Sequence, residues 1–281
     1  MTTLATIRQE LGKDLHECHV GAIASPEATK FIDTELIDWQ GSGDEKIEAG
    51  WILVTSGAQA GTVRRVKQYD DETGQVTLSR AWTPPAPADT YELHMLLSPA
   101  DLERCINAGL TKCYYIERED ITPVAGNTEY DLSAYTWITH PSQVRDVYWR
   151  TGSAANQYRY HPLRWLLVTD DAGALTLHIN PLTTASGSLL VLEASRPYAA
   201  LAADDDETDC PLDWLKAAAE FSIYELLARN DPDQDSTRYQ QAKAATGVRL
   251  LTLSQRYQPR QRIRVGHPNA PYSSWPSDIV R

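Results

Sequence analysis

A chain of 281 residues with 42% hydrophobic content can hold one large domain or two to three small ones, each with a real apolar core. Its formal net charge of −12 and pI near 5.0 exclude a protein that wraps duplex DNA tightly, because phosphate binding needs a basic surface; an acidic lining does fit a conduit that DNA passes without sticking. No apolar run approaches the ~20 residues of a membrane span, and the first residues lack the basic region and apolar stretch of a signal peptide, so the expectation is a soluble protein made in a cytoplasm.

The first predicted element is a short helix that Thr3 can cap, with Leu4, Ile7, Leu11 and Leu15 recurring at i+3 and i+4 as one narrow apolar stripe. The cluster His16-Glu17-Cys18-His19 offers three kinds of metal ligand, but no second Cys/His cluster completes a zinc site, so no metal is assigned. Next come β-favouring runs at Phe31 to Leu36, Trp51 to Val54, Thr62 to Val66, Val76 to Leu78 and Tyr91 to Leu93, with a hairpin turn at Asp70-Asp71-Glu72-Thr73-Gly74. Strands at this spacing predict a small barrel or compact sandwich over 28–96.

Ser98-Pro99-Ala100-Asp101 opens a helix with a capping Ser, Pro at the first helical position and an acid in the first turn. Leu102, Cys105, Ile106, Gly109, Leu110 and Cys113 form its apolar face. Cys105 and Cys113 would lie ~12 Å apart along one helix, beyond disulfide reach, and Cys18, Cys105, Cys113 and Cys210 are all read as reduced. The texture then changes to short strands at Glu129 to Leu132, Gln143 to Trp149, Trp165 to Val168, Leu175 to Ile179 and Leu189 to Leu192. Turns are expected at Asp170 to Gly173 and Ala185 to Gly187, with Trp149 and Trp165 in or near the core.

The acidic run Asp204 to Asp209 reads as a solvated loop leading into a helix N-terminus. Pro211 and Asp213 start that helix, Asn230-Asp231-Pro232 stops it, and a last helix from Asp235-Ser236 to about Tyr257 should pack antiparallel on it. Asp231, Asp233 and Asp235 mimic a calcium loop, but Ser236 stands where Gly is needed and Ala242 where the closing Glu should be. The segment 258–281 has Arg260, Arg262, Arg264 and Arg281 against one acid, Asp278, and four prolines that break regular structure. It also carries more apolar anchors than a solvated tail uses, so it is read as an extended arm, with Arg260, Arg262, Ile263, Arg264, Val265, Tyr272 and Trp275 as candidate partner-docking residues. The alternation from Arg260 to Val265 suits strand addition to a partner sheet.

There is no nucleophile elbow, phosphate loop, H-E-x-x-H or dinucleotide fingerprint, and no catalytic, cofactor-binding or metal-binding residue is assigned. The predicted fold is α+β: a helical bundle from 1–20, 98–118 and the hairpin 210–257, two inserted antiparallel β modules at 28–96 and 121–200, and the arm 258–281.

VTSGAQAGTVRRVKQYDDETGQVTLS from Val54 resembles a pattern of tailed-bacteriophage structural proteins. DLERCINAGL at Asp101, the β excursion, DWLKAAAEFSIYELLARNDP at Asp213 and the tail resemble head–tail adaptor (neck or connector) proteins of tailed phages, over most of 98–270. The resemblance implies a structural virion protein at the head–tail junction: a homo-oligomeric ring, commonly a dodecamer, seated beneath the portal protein and joined to downstream tail or neck proteins. DNA would pass through it without sequence-specific binding, the helical bundle would form the ring wall and the arm would contact the portal. Left open are a tail-completion, tail or baseplate protein, and a virion-displayed hydrolase or carbohydrate-binding module, the last resting only on Trp and Tyr content.

Overall fold

The computed structural model describes residues 1–15, 17–37, 47–151, 159–169, 173–180, 188–230 and 236–257. In chain order the elements are β1 (Thr2–Thr3), α1 (Leu4–Asp14), β2 (Cys18–Ala22), β3 (Lys30–Ile32), β4 (Trp51–Val54), β5 (Val63–Asp70), β6 (Gln75–Leu78), β7 (Thr90–His94) and α2 (Pro99–Leu110). There follow β8 (Tyr114–Ile121), β9 (Glu129–Asp131), β10 (Val144–Thr151), β11 (Arg159–Pro162), β12 (Trp165–Thr169), β13 (Leu175–Ile179), β14 (Leu189–Pro197), β15 (Glu207–Thr208), α3 (Leu212–Asn230) and α4 (Ser236–Tyr257).

Strands β2-β7-β4-β5-β6-β3 form one antiparallel sheet. It curls so far that Ala24, just past β2, bridges to Ile32 at the opposite edge, making a half-barrel. Inside, the Phe31 ring meets Tyr91 edge-on at 5.0 Å and Trp82 at 5.7 Å, and the Trp82 indole N–H donates to the Glu27 carbonyl at 2.7 Å. The run Phe31 to Leu36 is not one strand as expected. The Asp33 carboxylate accepts from the Glu35 N–H at 2.9 Å and winds Thr34–Leu36 into a 3₁₀ turn. Gly74 closes the β5–β6 hairpin at φ +66, where a Cβ would meet the Asp33 carbonyl oxygen at 2.1 Å, so only glycine fits.

The second β region is two antiparallel sheets, β11-β10-β14-β8 and β12-β13-β9. Both feed one apolar cluster that contains Val147, Leu177, Leu190 and Leu192. Trp165 packs against this cluster, whereas Trp149 is half-buried. The turn expected at 185–187 and all but Gly173 of the one at 170–173 lie outside the described residues.

The helices meet in a third cluster. The Thr3 side chain accepts from the Thr6 N–H and the Ser98 side chain from the Asp101 N–H, capping α1 and α2. Leu102, Cys105, Ile106 and Leu110 of α2 and Leu4, Ile7 and Leu11 of α1 pack on Trp214, Leu215, Ala218 and Ala219 of α3. Gly109 lets α2 and α3 approach closely, since a Cβ there would lie 2.9 Å from the Ala219 nitrogen. Helix α4 runs antiparallel to α3, with Lys243 on Glu225, Arg249 on Glu220 and Tyr257 on Asp213. Cys113 lies past the end of α2 yet stays in this core, in the same apolar cluster as Cys210.

The predicted α+β architecture of a helical bundle carrying two β inserts is therefore corrected. Among the described residues there are four helices against fifteen strands, and the molecule is β-rich with a curled half-barrel sheet. Apolar periodicity identified helices without ranking them. Two of the three apolar clusters belong to β sheets, so those sheets bury cores of their own instead of decorating a helical body.

Candidate functional site

Helix α1 carries one residue on its apolar stripe that hydrophobic counting passes over. Arg8 is fully buried. Its Nε donates to Glu92 Oε2 at 2.7 Å and its Nη2 to Glu92 Oε1 at 3.2 Å, a fork on one carboxylate. The other edge reaches Asp204 at 2.7 and 3.1 Å and Glu103 at 3.0 Å. Glu92, on β7, also accepts from Gln9 at 2.9 Å and lies 2.8 Å from His94 Nε2. One guanidinium thus ties α1, the half-barrel, α2 and the loop before β15 together.

The charges set one another's titration. Burial alone would raise the Glu92 carboxyl, but hydrogen bonds from His94 and Arg8 and the Arg8 charge hold it down at about 2. Burial alone would lower Arg8, and the hydrogen bonds and charges of Asp204 and Glu92 more than offset it. Glu103 moves upward through burial, with the charge of Asp204 adding to it. This constellation positions elements; its central carboxylate is already saturated by donors.

Cys18 and His19, adjacent in the sequence cluster, fall on opposite faces of β2 because strand side chains alternate. Cys18 approaches Glu92 and His94, while His19 faces Asp33 and Glu35. Each trio has metal-ligand chemistry, but in the first Glu92 already carries the Arg8 guanidinium at 2.7 Å. In the second, Asp33 accepts from the Tyr91 hydroxyl at 2.6 Å and pairs with His19 at 3.2 Å. Burial pushes the Cys18 thiol up to about 12, unsuited to a thiolate ligand. His16 lies outside the described residues.

The surface that stands out is the outer face of α4. At 100° per residue, Gln241, Ala244, Ala245, Val248, Leu251, Thr252 and Gln255 share one stripe; all are exposed and none is charged. Val248 is 68% and Leu251 60% exposed, unusual for large aliphatic side chains. Arg238, Arg249 and Arg256 line one edge of the stripe, while Leu250, Leu253 and Tyr257 pack inward. The predicted docking residues Arg260, Arg262, Ile263, Arg264, Val265, Tyr272 and Trp275 lie outside the described residues, beyond the end of this helix. Sequence reading passed over the outer stripe because Ala, Thr and Gln carry little hydropathy signal.

No helix among the described residues is long and apolar enough to cross a membrane. No protein-family model matches the chain, and no curated protein matches it.

Proposed function

We propose that this protein is a structural subunit of a tailed-phage particle, an adaptor at the head–tail junction that assembles with copies of itself into a ring beneath the portal. Downstream tail or neck proteins attach to that ring and DNA passes through it. The observation that carries the reading is the uncharged outer face of α4, with Val248 and Leu251 held in solvent beside an arginine edge. Such a face gains by being covered, and a second copy of an acidic chain supplies both apolar contact and carboxylates for Arg238 and Arg256. The sequence resemblance to head–tail adaptors points the same way. The net charge of −12 suits a channel that does not grip its polymer.

The test is Val248→Asp combined with Leu251→Asp. Both side chains are exposed, so circular dichroism and melting should be close to wild type. Sedimentation and electron microscopy of assembled particles should show loss of the ring and failure to join portal-bearing heads. Normal assembly of the variant, or particles that place this chain away from the neck, would sink the reading. So would tight, sequence-selective duplex binding at physiological salt.

A further inference from the structure

Beside the paired rings of Tyr115, at the start of β8, and Tyr198, just past β14, lies a cleft of about 450 Å³. The two rings sit 5.1 Å apart at 51°. Ala199, Glu207, Thr208 and Asp209 complete the lining. Nearby acids have partners, Glu117 with Arg196 at 3.2 Å and Asp204 with Arg8 at 2.7 Å. Glu207 and Asp209 are exposed, and neither has a cation among the described residues. Two aromatic faces and two unneutralised carboxylates are the recognition chemistry of a guanidinium, which stacks flat on a ring while its N–H groups fork onto carboxylates.

The chain itself carries such groups, and they follow the helix end that is tied to Asp213, shortly after the cleft segment in the chain. Helix α4 ends at Tyr257, whose ring stacks on Trp214 at 5.8 Å and whose hydroxyl donates to Asp213 at 2.8 Å. Asp213 stands in the first turn of α3, four residues after Asp209 of the cleft. Arg260 and Arg262 lie three and five residues beyond Tyr257, and at ~3.3 Å per extended residue these stretches cover on the order of 10 and 16 Å, comparable to the span of the four residues from Asp209 to Asp213. The segment 258–281 holds four arginines and one acid in a chain of net charge −12. Tethering gives it an effective concentration on the order of millimolar at a site this near, well above that of another copy in dilute solution.

We propose that the Tyr115–Tyr198 cleft seats an arginine of the protein's own C-terminal arm, Arg260 or Arg262, latching the arm against the body of the same chain. The latch goes beyond the adaptor reading and does not depend on it. It keeps the arm occupied until a competing acidic surface takes the arginine.

The test uses the full chain with Ala199→Cys and Gln261→Cys, which leave every charge in place; the four native cysteines are buried and free. Mild oxidation of dilute protein should give a disulfide within one chain, seen as a faster-migrating monomer on a non-reducing gel. Adding Glu207→Gln and Asp209→Asn should slow its formation about tenfold. Bonds only between chains would show that a second copy is the occupant and overturn the latch. A rate unchanged by removing the two carboxylates would overturn it too, as would a rate no faster than that of a control pair with Val124→Cys in place of Ala199→Cys. Trypsin provides an independent reading on chains without added cysteines: cleavage after Arg260 and Arg262 should be about tenfold faster in the Glu207→Gln, Asp209→Asn variant than in wild type. Equal cleavage rates would count against the latch.

Discussion

At the scale of single residues, stability is concentrated at Arg8. Its side chain and that of Glu92 are both 0% exposed, so removing either partner leaves a buried charge without its counter-charge. Arg8→Met should cost about 3–5 kcal/mol in a denaturant titration. Glu103→Gln, at a carboxylate 35% exposed, should cost about 1 kcal/mol or less. The acid limb carries a second expectation. Glu92 is depressed from 4.5 to about 2, so below pH about 4.5 the unfolded chain takes up a proton that the native chain refuses. Its contribution is complete above that pH and is lost progressively as pH falls towards about 2. The stability of Glu92→Gln should be flatter than wild type across that window, measured as the denaturation midpoint against pH. Parallel curves would mean that the Arg8–Glu92 pair is not what acid breaks.

At the scale of elements, two short motifs position the helices. Ser98 caps α2, and Ser98→Ala should lower stability by about 1 kcal/mol. The α2–α3 crossing depends on Gly109, where any Cβ meets the Ala219 backbone at 2.9 Å. Gly109→Ala gains helix propensity but forces the helices apart, and the crowding should win by about 1–3 kcal/mol, lowering the melting temperature. A rise in melting temperature would show that the crossing relaxes without cost. Ser98 and its neighbours announce a helix start in the sequence, whereas Gly109 looks only like a gap in an apolar face. Its role exists only once α3 lies against it.

At the scale of the whole molecule, the three separate apolar clusters among the described residues predict uneven local stability. Leu192 is fully buried in the cluster of the second β region, and Leu192→Ala should destabilise that region by about 2–5 kcal/mol. Hydrogen exchange should then speed up in β8, β10 and β14 and stay near wild type around Phe31 in the half-barrel. Uniform acceleration would mean that the clusters unfold as one unit. Arg8 is the exception to this separation, since its fork joins the half-barrel strand β7 to the helices. Arg8→Met should therefore raise exchange on both sides of that contact.

The sequence by itself determined where helices and many strands form. Thr3, Ser98-Pro99 and the apolar faces of α1 and α2 are local signals, because caps and periodicity act within a few residues. It also marked the Asp70–Gly74 hairpin, since the left-handed position has to be glycine. Tertiary structure alone decided which elements share a core, and so that the molecule is β-rich with a half-barrel instead of a helical bundle. It decided that Cys18 and His19 part company across a strand, that Cys113 and Cys210 share a cluster, and that Arg8 is buried among acids from three distant segments. These depend on long-range pairing, which alternation and periodicity cannot specify: they say which face of an element seeks a partner, and only the folded chain says which partner it finds.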